Sequence, residues 1–352
     1  MLVFCMAFLA GCGGSDEGQT GEGEKLIQIK ASHQPNIETF PIYKAIQEGL
    51  DKELGAKVEL VFFDSGMPQI EALPARQWQV GGIGCVPALL AALRYDAYII
   101  GVCDDESLAH GVIARPDNPV FQTKGYNPKY PDAYGTPEDI AGKEFLATTV
   151  SSGHFQMSSF LNALGKKDSD VVIKNLEQAQ AIAAFEAGEG DFLSLWSPFL
   201  YTATDKGWKV VADGSQVGAK FFSVMIADKK VADEHPEVIV KYLDAYLQMV
   251  DEIRTGTDLS SEYKAFLNDW GAMDISLENA KRDFETHPMF TLKEQLDMFE
   301  NGEVEESMAQ VCDFFTKQGR FTPEEQKQLI DKGFGINDKF IKMLAKEKGL
   351  IN

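Results

Sequence analysis

Three short segments gather hydroxyls, amides and imidazoles where an apolar run gives way to an amphipathic one: Ala31-Ser32-His33-Gln34, Gly84-Cys85-Val86-Pro87 and Ser151-Ser152-Gly153-His154. Read as strand-to-helix junctions, they offer helix N-termini whose N–H groups and partial positive charge suit a small anion without any formal cation. Ligands of open α/β sheets sit outside the carboxyl ends of the strands, which is where such junctions lie. Pro87 fits a first helical position, where its missing N–H costs nothing. Ser32, His33, Cys85, Val86, Ser151, Ser152 and His154 are therefore the candidate polar contacts. Two readings stay open for Ser151 and Ser152, which also make ordinary helix caps, a role compatible with ligand contact. His154 is either a neutral imidazole donating to the anion or a histidine that only orients its loop, and His33 poses the same choice.

Trp196 ends an apolar run just before Pro198, so its ring would form a wall for a short alkyl chain or simply pack in the core. Phe155 and Phe222 are further wall candidates. Asp64 closes another apolar run, where its carboxylate would face a ligand ammonium or cap a helix starting near Gly66; the cap is the better reading.

The elements that must position these groups follow from periodicity. Short apolar runs predict strands at 26–31, 58–63, 79–84, 98–103, 111–114, 145–149, 171–175, 192–196 and 221–227, separated by amphipathic stretches such as 40–54, where Tyr43, Ile46 and Leu50 share a face. That alternation is the signature of α/β architecture with mostly parallel strands. The segment 115–139 breaks the rhythm with Pro116, Pro119, Pro128, Pro131 and Pro137 and reads as the passage into a second lobe. After Ala227 only helices are expected, at 236–254, 260–270, 277–284, 292–319, 323–332 and 338–348, with Ser276 and Thr322-Pro323 as caps.

The chain's 352 residues carry 33 Lys+Arg against 54 Asp+Glu, a formal net charge of −21, so nucleic acid is not an expected partner. The N-terminal run Met1 to Gly11 is apolar, ends in small residues and reads as a secretion signal. Leu9-Ala10-Gly11-Cys12 resembles the bacterial lipobox, which implies a lipid on the Cys12 thiol. No Lys or Arg precedes Lys25, so the natural signal is expected to begin upstream of Met1. Residues 13–24, rich in Gly and acids, make a solvated tether. Of the remaining thiols Cys85, Cys103 and Cys312, an odd set in apolar surroundings, buried free cysteines are the first expectation and a Cys85–Cys103 bridge the second.

In order along the chain, Phe63-Asp64-Ser65-Gly66, Glu71-Ala72-Leu73, Gln79 to Gly84, Val86-Pro87-Ala88, Glu138 to Lys143, Ser151 to Phe155, Asn175-Leu176, Ala181 to Gly188, Gly190-Asp191, Leu195-Trp196-Ser197-Pro198, Ser215 to Gly218 and Glu234 to Val238 resemble the nitrate/sulfonate/taurine-type substrate-binding proteins of ABC importers, the taurine-binding branch most closely. The likeness runs from about Lys25 to His235 and, more weakly, through the C-terminal helices. It implies a two-lobe, type II periplasmic-binding-protein-like α/β fold, each lobe a mostly parallel sheet flanked by helices, with a helical C-terminal region. Carried onto this chain, residues 1–12 are signal and lipidation site and 13–24 tether. Lobe one is 25–109 plus 224–352, and lobe two is 110–223.

The implied function is an extracytoplasmic, lipid-anchored solute receptor, a monomer without cofactor or metal. It would close around a small sulfonate, taurine or an alkanesulfonate, or a related anion, and deliver it to a permease and its ATPase subunits. Taurine binders of this kind are expected to hold the ligand's amino group with an acid on the strand returning to lobe one, where this chain has Ser223; that departure favours a plain alkanesulfonate. A related fold member is a pyrimidine synthase of thiamine biosynthesis, so binding of its precursor, or related enzyme activity, is the alternative. Its Cys-rich motif is not found here, nor is a G-x-S-x-G elbow or an H-E-x-x-H pair, and Gly81-Gly82-Ile83-Gly84 lacks the dinucleotide spacing. No enzyme is expected.

Overall fold

A computed structural model describes residues 26–351; the signal run, Cys12 and the tether lie outside them. Ten strands alternate with helices: β1 Ile27–His33, β2 Ala56–Phe62, β3 Val80–Gly84, β4 Ala97–Asp105, β5 His110–Ala114, β6 Glu144–Ala147, β7 Val172–Asn175, β8 Phe192–Trp196, β9 Lys209–Asp213 and β10 Phe222–Asp228. They form two five-stranded sheets of the same design, β2-β1-β3-β10-β4 and β7-β6-β8-β5-β9. In the first, β2, β1 and β3 run parallel and β10 lies antiparallel between β3 and β4. In the second, β7, β6 and β8 run parallel and β5 lies antiparallel between β8 and β9. The central strands β3 and β8 are almost wholly apolar, as strands covered on both faces must be.

The antiparallel strands are where the chain changes sheet. It crosses from β4 to β5 over Glu106–Ala109 and returns from β9 to β10. The crossings are tied together: Ser215 N–H donates to the Ser107 carbonyl at 3.1 Å, Phe221 N–H to Ser107 Oγ at 3.3 Å and Glu106 N–H to the Phe221 carbonyl at 3.1 Å.

Strand β9 escapes the sequence pattern because Lys209-Val210-Val211-Ala212-Asp213 holds only three apolar residues between charges, too few to show a period. Two expected helices are each divided by glycine. Gly49, at φ 78°, ends Phe40–Glu48, and Gly302, at φ 75°, separates Leu292–Glu300 from Glu303–Lys317, both being left-handed positions that glycine fills cheaply. No strand follows β10 among the described residues, and the C-terminal region is helical.

Helix Pro236–Arg254 lays Tyr242, Leu243 and Tyr246 against Ile29, Val58 and Val80 on one face of the first sheet. Helix Cys85–Arg94 covers the other face. Its Leu89 and Leu90 belong to an apolar cluster that runs through Ile83 and Val224 to Phe145, Phe160 and Phe192 of the second sheet's side. Cys85, Cys103 and Cys312 are buried free thiols.

Candidate binding site between the two sheets

Where the strand ends of the two sheets face one another, Gln34, Asn36, Gly66, Gly84, Pro87 and Glu106 line one wall of a cleft; His110, Ser151, Ser152 and Trp196 line the other. The cleft encloses about 20 Å³, on the scale of one ordered water. A ligand with a carbon chain enters only if the walls part.

The second sheet's wall is built on helix Ser152–Ala163. Its first N–H groups have no carbonyl within the helix to bond. The Ser151 hydroxyl accepts from His154 N–H at 3.1 Å and donates to the Thr148 carbonyl at 2.7 Å; the Phe155 N–H goes to the Ser151 carbonyl. The N–H groups of Ser152 and Gly153 are thus left for an acceptor in the cleft. Trp196, at the end of β8, lies so close to this turn that a Cβ on Gly153 would meet its ring at 3.1 Å.

The first sheet's wall is built on helix Cys85–Arg94, which follows Gly84 with no side-chain cap. Cys85 and Val86 open this helix, and the Cys85 thiol is buried and pushed up by burial, with the Glu106 charge adding to the rise and the Val86 and Cys85 N–H groups opposing it. The two helix starts nearly touch, since a Cβ on Gly84 would stand 2.7 Å from Ser152 Oγ.

Side chains that the sequence assigned to the ligand divide sharply. Ser151, Ser152 and Trp196 line the cleft, whereas Cys85 and Val86 sit at the helix start between the lining residues Gly84 and Pro87 and are not themselves among them. The Ser152 hydroxyl lies 3.2 Å from His110 Nε2, while His110 Nδ1 faces the Glu106 carbonyl at 3.1 Å. Because Nδ1 must carry the proton to donate to that carbonyl, Nε2 is left as an acceptor facing the Ser152 hydroxyl. Burial lowers His110 to about 3, so the ring is neutral.

His154 turns away from the cleft. Its Nδ1 accepts from Val150 N–H at 3.1 Å, which fixes the proton on Nε2, 2.9 Å from the Asp168 carboxylate. The loop-orienting alternative is the one that this geometry matches: Val150 stands at φ 59°, a costly conformation for a β-branched residue, and the His154 bond pins it. His33 is also fully engaged, with Thr39 at Nδ1 and Tyr242 at Nε2, and burial lowers it to about 3. Ser32 Oγ accepts from Gln69 at 2.9 Å inside the first sheet. Phe155 packs on Phe221 and Phe314, and Phe222 on Phe290, so neither ring reaches the cleft. Asp64 is exposed and caps nothing: Ser65 is the N-cap residue of helix Gly66–Glu71, with no side-chain cap bond, and its hydroxyl donates to Glu177. Ser223, inside β10, is paired directly opposite Asp104.

Four cleft residues were not foreseen: Gln34, Asn36, Glu106 and His110. Glu106 opens the first crossing and His110 begins β5 just beyond it. The only hint in the sequence was an acidic, His-containing stretch, Asp104-Asp105-Glu106 to His110, between two apolar runs.

Two sheets of one design facing across such a cleft make a periplasmic-binding-protein-like α/β fold, and solved structures agree. The aliphatic sulphonate binding protein SsuA of Escherichia coli superposes with a TM-score of 0.66 at 19% identity, over 88% of this chain and 99% of that one. The nitrate-binding protein NrtA of Synechocystis PCC 6803 gives 0.70 at 11%, over 93% and 90%. The desulfurization enzyme DSZB shares the fold at 15% identity and 0.61, over 92% and 99%.

Relatives by sequence are narrower in kind. A Brachyspira hyodysenteriae protein provisionally named as an ABC transporter periplasmic binding protein is 25% identical over 332 residues, 94% of this chain and 93% of its own. The taurine-binding periplasmic protein of Escherichia coli is 28% identical over 218 residues, 61% and 63%. No family model matches. The chain's homologues are thus periplasmic binding proteins of ABC transporters, including sulfonate- and taurine-binding ones, as the ordered motifs implied, and the named relatives are binding proteins, not enzymes.

Proposed function

We propose that this chain is the solute receptor of an ABC importer, taking a small sulfonate into the cleft and delivering it to the permease. The observation that carries the reading is the meeting of two helix starts, at Gly84 and at Ser152, beside the Trp196 ring. A tetrahedral anion seated there would take N–H groups from the two helix starts, Ser152 and Gly153 on one side and Cys85 and Val86 on the other, and the indole would cover its alkyl chain. The two bodies that close on it are residues 25–109 with 224–352 and residues 110–223, moving about the tied crossings. A lipid on Cys12 would hold the receptor, as a monomer, on the outer side of the cell membrane.

Protein lacking residues 1–12 should gain thermal stability with taurine or short alkanesulfonates, because a ligand at 100 times its Kd adds about 2.7 kcal/mol to the native state. No shift with any sulfonate overturns the reading; a shift with a thiamine pyrimidine precursor alone would put the alternative in its place. For the anchor, Cys12→Ser should abolish incorporation of labelled lipid into the cell-bound protein.

A further inference from the structure

We infer that Glu106 meets the sulfonate as a neutral acid, its carboxyl O–H donating to an anion oxygen, so that binding takes up a proton and weakens in alkaline solution; this rests on the sulfonate reading of the same cleft. Glu106 lines the cleft together with Ser152 and Gly84 and is only 6% exposed. Its Oε2 is buried and has no hydrogen-bond partner among the described residues, and its Oε1 stands 3.9 Å from His110 Nε2. A carboxyl group so placed is either an unpaired buried charge, which is costly, or an acid with a proton to give.

The surroundings decide between the two states. No Lys or Arg lines the cleft. Asp104 and Glu38 are buried with both carboxyl oxygens of each unpartnered among the described residues, and Asp105 ends the strand that leads to Glu106. Carboxyl groups crowded into one dry region cannot all ionise. The nearby cation, His287, is committed elsewhere: its Nδ1 faces Asp283 Oδ1 at 3.1 Å and its Nε2 the Ser197 hydroxyl at 3.3 Å. Two further side chains of the cleft have no proton to spare, since the Ser151 hydroxyl donates to the Thr148 carbonyl and His110 gives its one N–H to the Glu106 carbonyl. An ionised Glu106 would repel a sulfonate. A neutral one adds a directed donor to it, and a hydrogen bond to a charged acceptor is among the stronger kinds.

The proton balance follows from the groups around Glu106. Burial and the Asp104 charge push its carboxyl up to about 8, with Asp105 adding to the rise and His287 and Ser152 opposing it. Burial also raises Asp104 to about 6, lifts Glu38 and the Cys85 thiol well above their ordinary values and lowers His110 to about 3. Between pH 7 and 9 Glu106 therefore gives up its proton, and His287, which burial lowers but Asp283 and Asp104 hold up to about 9, begins to lose its own. The sulfonate binds the protonated acid. In the free protein that form makes up about 0.9 of the molecules at pH 7 and about half at pH 8, and beyond it affinity falls about tenfold per pH unit.

The test is calorimetry of the chain lacking residues 1–12 with ethanesulfonate at pH 7, 8 and 9, in buffers of different ionisation heat. Affinity should fall about tenfold from pH 7 to 9, and binding at pH 8 should take up about half a proton. Glu106→Gln, whose amide donates but does not titrate, should keep a fall of about threefold or less, the part that Glu38 and His287 supply. Glu106→Ala, with neither charge nor donor, should bind about tenfold more weakly than Glu106→Gln at pH 7. An affinity that is flat or rises with pH, proton release on binding, an unchanged slope in Glu106→Gln, or equal binding by the two variants overturns the inference and leaves the sulfonate receptor standing. Binding of taurine without ethanesulfonate does the same, because Glu106 would then act as a charge. No binding of any sulfonate at these pH values overturns the sulfonate reading and takes the inference with it. Should neither variant fold, the slope and proton uptake of the unaltered chain decide the matter alone.

Discussion

The two walls of the cleft come from sheets with one strand order, yet they are finished in opposite ways. On the second sheet's side most polar side chains around the helix start are satisfied by one another: Ser151 caps, His154 links Val150 to Asp168, and Ser158 donates to the same carboxylate at 2.6 Å, with Gln156 Oε1 and Glu177 Oε2 the buried oxygens left without partners. On the first sheet's side the helix start has no side-chain cap, and Asn36, Glu38, Asp104 and Glu106 all have buried oxygens without partners. Shared topology therefore fixes where two helix starts meet and leaves their chemistry free. One wall is a finished surface that presents N–H groups and an indole. The other keeps Asn36 and Glu106 unpartnered at the cleft itself, with Glu38 and Asp104 buried without partners as well.

The largest effect should come from removing the finished wall's aromatic. Trp196→Ala takes away a ring that is 8% exposed and packed on Gly153 and His110, and should cost about 3 kcal/mol in urea unfolding. It should also weaken ligand binding by more than tenfold. Pro87→Ala on the opposite wall should cost under about 1 kcal/mol. Equal costs for the two would erase the contrast between the walls.

The wall with unpartnered acids predicts an unusual pH profile. Glu106 is raised from 4.5 to about 8, so the native chain holds its proton where the unfolded chain has lost it, and stability falls as pH rises between those values. His287 acts in the same direction. Burial opposes its charge, but the Asp283 carboxylate, with its Oδ1 3.1 Å from Nδ1, and the Asp104 charge hold it up to about 9. Its contribution is complete below 6.5 and lost as pH climbs to about 9, roughly 3 kcal/mol if the whole shift is expressed. The unfolding midpoint should therefore decline from pH 5 to 9, and Glu106→Gln should flatten the lower part of that decline. A midpoint that rises over the same range would show that Glu106 and His287 are not held in their protonated forms.

Cutting the clamp behind the finished wall should cost less. Asp168→Asn leaves His154 and Ser158 without the carboxylate they share and should lose about 2 kcal/mol at pH 7. Burial works against the Asp168 charge, yet the His154 and Ser158 bonds win and its carboxyl lies below the ordinary value. Its stabilisation is present above 3.8 and lost as pH falls through the folded value, so the variant and the parent should converge in acid. A gap that persists there would mean that packing, not charge, is what the clamp supplies.

How far this contrast was legible in sequence depends on the wall. The order of apolar runs gave the α/β class and nine of the ten strands, and the junction at Ser151 announced itself because a cap, a glycine and a histidine in succession suit a helix start. His154 misled for the same reason: type and position were right, but helical geometry turns its ring to the far side of the turn, toward Asp168, fourteen residues on. Locally only the acidic stretch running to His110 hinted at Glu106, and it did not mark a cleft residue. Its place depends on β10 returning from more than a hundred residues later to lie between β3 and β4, a long-range pairing that no period reveals. Asp64 looked like a cap by spacing alone, and the one-residue shift to Ser65 carried it to the surface.

The smallest effects should come from two glycines, and they separate the walls most cleanly. A Cβ on Gly153 meets the Trp196 ring at 3.1 Å within a single wall, so Gly153→Ala must push the indole and should lower stability by about 1 kcal/mol together with affinity. A Cβ on Gly84 meets Ser152 Oγ at 2.7 Å across the cleft, where the walls yield by parting. Gly84→Ala should leave the unfolding midpoint of the free protein within about 0.5 kcal/mol of the parent while weakening ligand binding severalfold, because the cost falls only on closure. If Gly84→Ala destabilises the free protein as much as Gly153→Ala does, the two helix starts are packed into one rigid unit and do not part to admit a ligand.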